Sequence, residues 1–327
     1  MKITVIITSF KEPKTIGNAI ESMLKQNTKR KYDIWVSAPD EETLGVARKY
    51  MKNQKIEEIG ARFLDARSAD HILKDEVLGR HYRHNKNLVV FKDSGKGKSF
   101  ALNLLFKKIK SDILILTDGD VFVNDRAIEE IMKLFENPQI GCVTGRPVPI
   151  ENKKTMFGYW ANFLFDAAHN IRERAFNNKE FIECSGYLFA FRKSLINQIP
   201  LDTAEDSVIP YYCVQNGYLV GYANKAEVYV KNVDNWKEWV KQKIRTTKGH
   251  ETLDRYVDTS KIKRVKSFSN ESKGIFYLLS YPRNLKEAWW SILLVFARFY
   301  MWTRVFWETK VKGKHHKDNW ERVDSTK

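Results

Sequence analysis

The feature that most constrains this chain is a rhythm in its first 120 residues, where short β-branched runs alternate with segments of helical period. Residues 3–8 (ITVIIT) read as a strand, and residues 14–26 place Ile16, Ala19, Ile20, Met23 and Leu24 on one face of a helix. A strand at 33–37 ends at Pro39 and Asp40, a helix is predicted over 41–51, and a strand at 88–91 runs into Gly95 and Gly97. A helix through Ala101 and Leu105 then leads to the apolar run 113–116. Strands alternating with helices of about a dozen residues predict an α/β domain, a mainly parallel sheet flanked by helices, whose ligand crevice lies at the carboxyl ends of the strands.

Composition narrows the function. At 327 residues, 43% apolar and 29% charged, the chain can bury a sizeable core, which excludes a disordered chain and a disulfide-stapled miniprotein. A net charge of +16 draws anionic partners, whether nucleic acid, phosphorylated small molecules or acidic lipid. The cysteines, Cys142, Cys184 and Cys213, are odd in number and form no CxxC pair, so they read as small buried hydrophobes in a reducing compartment rather than as zinc ligands. The opening MKITVIITSF lacks the long apolar core and cleavage site of a secretory signal and reads as the first strand.

Residues 52–86 are highly charged and weakly periodic, which predicts a surface insertion. Downstream the rhythm loosens into an aromatic amphipathic helix at 157–176, a strand at 183–191, a helix at 206–215 and strands at 218–222 and 227–230. Residues 236–266 are strongly basic. The expected organisation is a catalytic domain over 1–235, a basic helix and loop closing the site over 236–270, and an aromatic, membrane-associating segment with a basic tail over 271–327.

Residues 282–307 are apolar almost all round, with Arg283, Glu287, Ser291 and Arg298 gathered in one stripe. A membrane span needs about 20 apolar residues, and an arginine near its centre costs roughly 2.5–3.5 kcal/mol. Arg298 and Arg304 both fall in the available window, and a crossing would put the basic tail at 310–317 on the far side, against the positive-inside tendency. The expectation is a helix lying in the interface at the cytoplasmic face of an anionic membrane, with Trp289, Trp290, Trp302 and Trp307 at headgroup depth. A core helix packed on the catalytic domain is the alternative.

Asp118-Gly119-Asp120 follows the apolar run directly. Two carboxylates one residue apart at a strand exit can hold Mg²⁺ or Mn²⁺ together with substrate phosphate oxygens, because hard cations prefer oxygen ligands. An ordinary acidic turn is the competing reading. Gly95-Lys96-Gly97-Lys98-Ser99 suggests a triphosphate-binding loop, but the first glycine that such a loop requires is Lys92 here, and too little chain separates Ser99 from Asp118. Thr203-Ala204-Glu205-Asp206 opens a helix, where a carboxylate can cap or, as Asp206, act as a general base. Gln242 and Arg245 share one helical face and can grip a diphosphate or sugar hydroxyls, or simply be solvated.

Taken in order, VIITSFKEP, Asp40, GKGKSFALN, the DGD, ECSGYLFAFRK, AEDSVIPYYCVQNGYLVGYANKAEVY and QKIRTTKGHETL resemble glycosyltransferase family 2 over residues 1–250. Within it they most resemble the processive polysaccharide synthases of the cellulose, hyaluronan and poly-N-acetylglucosamine type. The resemblance implies a Rossmann-like GT-A fold and an inverting, metal-dependent transfer from a nucleotide sugar, expected to be a UDP-sugar, to a saccharide or lipid-linked acceptor. It implies that Thr8, Ser9, Glu12 and Asp40 hold the nucleoside, that Lys98 and Asp118 lie by the nucleotide, and that Asp120 is the main metal ligand. Cys184, Ser185, Gly186 and Glu205 would line the acceptor site, Asp206 would be the catalytic base, and Gln242 and Arg245 would close over diphosphate or acceptor. The tryptophan that the family places after that arginine is Thr246 here, which weighs toward single addition rather than chain growth. The rival readings are a nucleotidyltransferase of similar fold, releasing pyrophosphate, and a nucleic-acid-binding protein. The latter leaves the ordered acidic motifs unexplained, so nucleic acid is not an expected partner.

Overall fold

The computed structural model describes residues 1–51, 87–258, 262 and 280–307; the charged segment at 52–86 and the basic tail at 310–317 lie outside the described residues. Eight strands form one sheet in the order β3-β2-β1-β4-β7-β6-β8-β5. Its first half is parallel and consists of β1 (Ile3–Thr8), β2 (Tyr32–Ala38), β3 (Leu88–Lys92) and β4 (Ile113–Asp118). In the second half β7 (Leu188–Arg192) runs antiparallel to both β4 and β6 (Ile140–Pro149), β8 (Leu219–Val230) is parallel to β6, and β5 (Val121–Val123) closes the edge antiparallel to β8.

The sheet has two buried faces because successive strand residues point to opposite sides. Val5 and Ile7 of β1 face the layer formed by α1 (Ile16–Leu24), α2 (Glu41–Arg48) and α4 (Ala127–Leu134), packing with Ile20, Leu44 and Ile131. Ile6 faces the other way, toward Leu102 and Leu105 of α3 (Lys98–Lys108) and Val208 of α6 (Glu205–Gln215). Each such fully buried aliphatic side chain contributes about 1.5–3 kcal/mol. Parallel strands covered on both faces are why β1 and β4 are continuous apolar runs rather than alternating ones.

Two predicted boundaries move. The strand expected over 183–191 begins only at Leu188, because the Ser185 amide donates to the Thr144 hydroxyl (3.0 Å) and the chain turns at Gly186 before entering the sheet. The strands expected at 218–222 and 227–230 are the single β8, whose register against β6 slips between Gly145 and Arg146.

A third core joins α5 (Met156–Asn177), α7 (Trp236–Glu251) and α8 (Leu285–Phe306) through Tyr159, Trp160, Trp239, Ile244, Leu294 and Met301. The polar stripe divides, with Arg283 exposed, Glu287 and Arg298 half-buried and Ser291 turned inward. Ser291 is buried in a 2.6 Å hydrogen bond with the Tyr159 hydroxyl, and the Trp160 indole N–H donates to the Trp290 carbonyl at 2.7 Å. Trp290 and Trp302 therefore pack on the domain, while Trp289 and Trp307 face outward with Ile292, Phe296, Phe299 and Phe306. No helix among the described residues is long and apolar enough to cross a membrane.

One side chain of α3 fixes the segment that leads into α6. The Asn103 amide donates to the Ile199 carbonyl (2.8 Å) and accepts from the Ile199 amide (2.9 Å), both buried. Asn103→Ala strands two buried backbone groups and is expected to cost about 2–3 kcal/mol. Urea unfolding of the two proteins measures it.

Candidate active site

The register of the parallel strands levels their carboxyl ends. Thr8 stands opposite Ser37 on one side and Asp118 on the other, so the chain leaves β2, β1 and β4 at one rim. From β2 it passes to Asp40, whose carboxylate caps α2 by accepting from the Thr43 amide (3.0 Å) and also accepts from the Lys11 amide (2.7 Å). Burial opposes the Asp40 charge, but the bonds from Thr43 and Lys11 prevail and hold its pKa below the usual carboxylate value. From β1 the chain passes to Ser9, whose hydroxyl donates to Glu12 (2.7 Å), while the Glu12 amide donates to the Thr43 hydroxyl (2.8 Å). Thr8, Ser9, Glu12 and Asp40 thus form one connected wall.

At the end of β4, Thr8 donates to Asp118 Oδ1 (3.2 Å) and the Gly119 amide donates to the Thr8 carbonyl (2.8 Å), which folds the Asp118-Gly119-Asp120 turn over β1. A side chain at position 119 would lie 2.4 Å from Ser9 Oγ and 2.9 Å from Glu12 Oε2, so this turn needs glycine to seat against the β1 loop.

The motifs from the second half arrive at the same rim. Lys98, the first residue of α3, places its ammonium 2.6 Å from Asp118 Oδ1 and 2.6 Å from Glu205 Oε1 at the start of α6. Burial disfavours the Lys98 charge, yet Asp118 and Glu205 outweigh it and raise its pKa. Glu205 is 6% exposed, and burial, together with Asp206 and Asp118, raises its pKa against the opposing pull of Lys98. Beside it, Asp206 Oδ2 comes so near Gly186 that an added Cβ there would lie 3.2 Å away.

Tyr187 follows. Its carbonyl accepts from the Thr117 hydroxyl (2.8 Å) and its ring stacks on Phe165 at 6.2 Å. Burial raises the pKa of its phenol, and Asp120, Asp118 and Asp206 add to the rise while Arg245 of α7 opposes it. Those four charged groups therefore all act electrostatically on one hydroxyl. Of the four residues expected on the acceptor side, Glu205 is paired with Lys98 and Gly186 faces Asp206 directly. Ser185 is held below it by Thr144, and the Cys184 thiol points into the core, 3.3 Å from that of Cys142. All three cysteines are free and buried. Gln242 lies one turn before Arg245, half-buried, and its side chain makes no hydrogen bond to the acidic group among the described residues.

Sequence reasoning did not single out two residues of this rim. Tyr187 lay inside a motif read as strand, and its exit from the sheet depends on the Thr144 bond rather than on any local signal. Asp93, just past β3, accepts from the Ser37 hydroxyl (2.9 Å) and the Gly95 amide (2.8 Å), and burial raises its pKa. An acid at the end of a third adjacent parallel strand was the available clue.

A divalent cation fits the donor set. Among the described residues no three His, Cys, Asp or Glu side chains form a ready-made metal site. Asp118 and Asp120 instead offer the one or two hard carboxylates with which Mg²⁺ or Mn²⁺ is commonly held when substrate phosphates complete its shell.

Comparison with known proteins agrees with this fold. The family model described as glycosyltransferase-like family 2 matches residues 1–249. Hyaluronan synthase of Streptococcus pyogenes is 23% identical over 190 residues, covering 54% of this chain and 45% of that protein. The O-antigen chain rhamnosyltransferase RfbN of Salmonella typhimurium is 26% identical over 187 residues, covering 53% of this chain and 55% of its own. The chain thus spans about half the length of these curated relatives. A mannosyltransferase from Pyrobaculum calidifontis, solved with GDP-Man and Mn²⁺, superimposes with a TM-score of 0.55 at 16% identity, over 94% of this chain and 80% of that one.

Gly119→Ala is expected to destabilise the protein by about 1–3 kcal/mol through overpacking against Ser9. Thermal melting checks this, and a melting temperature equal to that of the unmodified protein would show that the β1 loop yields freely.

Proposed function

The chain belongs to the glycosyltransferase-like family 2, and from that premise we propose that it is an inverting, metal-dependent glycosyltransferase acting on a nucleotide sugar, of which a UDP-sugar is the first candidate. The observation that carries this is the convergence at one rim of Asp118 and Glu205 on the Lys98 ammonium, with Asp206 next to Gly186. A donor-side pair of acids and a separate base on a helix start are what direct displacement at an anomeric carbon requires.

In this reading Thr8, Ser9, Glu12 and Asp40 hold the nucleoside, with Lys98 and Asp118 beside the diphosphate. Asp120, helped by Asp118, holds Mg²⁺ or Mn²⁺, which when bound neutralises charge on the diphosphate oxygens. Arg245 adds positive charge as the diphosphate leaves, and Gln242 closes beside it. Asp206 takes the proton of the acceptor hydroxyl as that oxygen attacks from the face opposite the leaving group, so the configuration inverts and no covalent enzyme intermediate forms. Ser185, Gly186 and Glu205, with the Cys184 backbone, border the acceptor, a saccharide or a lipid-linked sugar.

The outer face of α8 supports attachment to the cytoplasmic side of an anionic membrane. Trp289, Ile292, Phe296, Phe299 and Phe306 are exposed, and Arg283, Lys286, Arg298 and Arg304 lie along the same segment of a chain of net charge +16. A helix of this kind sits in the headgroup region with its apolar side in the acyl boundary. Trp289→Glu together with Phe296→Glu is expected to leave the melting temperature unchanged and to move the protein off phosphatidylserine vesicles in a sedimentation assay. Unaltered partitioning would remove the attachment.

For catalysis, purified protein with Mn²⁺ is screened against a panel of nucleotide sugars for release of nucleoside diphosphate; release of pyrophosphate instead would identify a nucleotidyltransferase. Asp206→Asn is expected to bind UDP normally and lose transfer by about a hundredfold or more. Asp120→Ala is expected to lose metal-dependent donor binding. Normal turnover by Asp206→Asn would remove the base assignment.

A further inference from the structure

Lys98 is bound at two points by carboxylates that come from different halves of the site. Asp118 ends β4 on the donor side and Glu205 opens α6 on the acceptor side, and the Lys98 ammonium lies 2.6 Å from each. The lysine side chain is itself mostly buried, at 17% exposure. Its position is set by the backbone: Gly97, at φ +109°, gives the chain the left-handed entry that starts α3 with Lys98. Just over a turn later Asn103 grips both backbone groups of Ile199. Helix α3 thus holds the segment between 199 and 205 at both ends, and Asp206 is the next residue.

We infer that Lys98 is a positioning residue that ties Glu205 to Asp118 and so fixes the neighbouring Asp206 against Gly186 for proton abstraction. This rests on the sugar-transfer reading above and specifies how its base is held. Two features favour it over a lysine that serves only as a diphosphate ligand. Its charge is already matched by two carboxylates, and Glu205, at 6% exposure, is too little hydrated to carry its charge cheaply without a counter-ion. The Asp206 carboxylate lies close against Gly186, where a methyl group would stand 3.2 Å from Oδ2. A rotation of the first turn of α6 would move it off that position.

The test combines a double-mutant cycle with steady-state kinetics. Lys98→Met, Glu205→Gln and the double variant are melted, and the double variant is expected to fall no further than the worse single one, because both changes break one interaction. Additive losses would overturn the bridge. Kinetics use UDP-N-acetylglucosamine and GDP-mannose with Mn²⁺, taking whichever donor the unmodified protein turns over. Lys98→Met and Glu205→Gln are each expected to lower kcat at least tenfold with donor KM within threefold, and Lys98→Arg to recover part of the loss. A tenfold rise in donor KM at unchanged kcat for Lys98→Met would make the ammonium a donor ligand and overturn the positioning role. If Lys98→Met does not fold, Glu205→Gln carries the same kinetic expectation and the same contrary result. Absence of turnover by the unmodified protein with every donor of a nucleotide-sugar panel would overturn the sugar-transfer reading instead, while the melting cycle still decides the bridge.

Discussion

Carboxylates of like charge crowd one end of this sheet, and a buried ammonium sits between two of them. Asp118 comes from a distant part of the chain to meet Glu205 and Asp206, and burial, with Asp206 and Asp118 adding to it, raises the pKa of Glu205. Lys98 opposes that rise, its ammonium 2.6 Å from Asp118 and from Glu205. Breaking such a buried couple by removing one partner is far more damaging than the net value of the couple suggests, because the remaining charge is left without solvent. The arrangement links Asp118 at the end of β4 to Glu205 at the start of α6 through one shared ammonium.

Much of this was legible in the sequence, and the reasons are local. The strands and helices of the first 118 residues carry their own periodicity, and the register of β1 with β2 and β4 follows from runs of nearly equal length whose ends are marked by Asp40, Ser9 and Asp118. Asp206 was visible as an acid at a helix start. The second half was harder because its order depends on long-range bonds. Residues 183–187 have a strand-like composition and leave the sheet through the Ser185–Thr144 hydrogen bond, which no window of sequence contains. The short β5 and the irregular β8 depend likewise on their mutual pairing.

Helix α8 shows why periodicity alone is ambiguous when a helix is apolar on both sides. Its few polar residues gather in one stripe, yet Ser291 turns inward because Tyr159 offers a hydroxyl in an otherwise apolar core. The aromatic face left outside is continuous, while the inner face shares its core with α7, the helix that carries Arg245. The segment expected to meet lipid is thus packed directly on an element of the candidate site.

The proposed function requires one geometry, in which the carboxylates of Asp120 and Asp206 face a single bound nucleotide sugar from opposite sides. Crystals soaked with UDP and Mn²⁺, with data collected at the manganese absorption edge, test it most directly. The manganese peak is expected on Asp120, bonded to diphosphate oxygens, with the open side of the diphosphate turned toward Asp206 and Gly186. A nucleotide bound on another surface, or manganese away from Asp120, would contradict it.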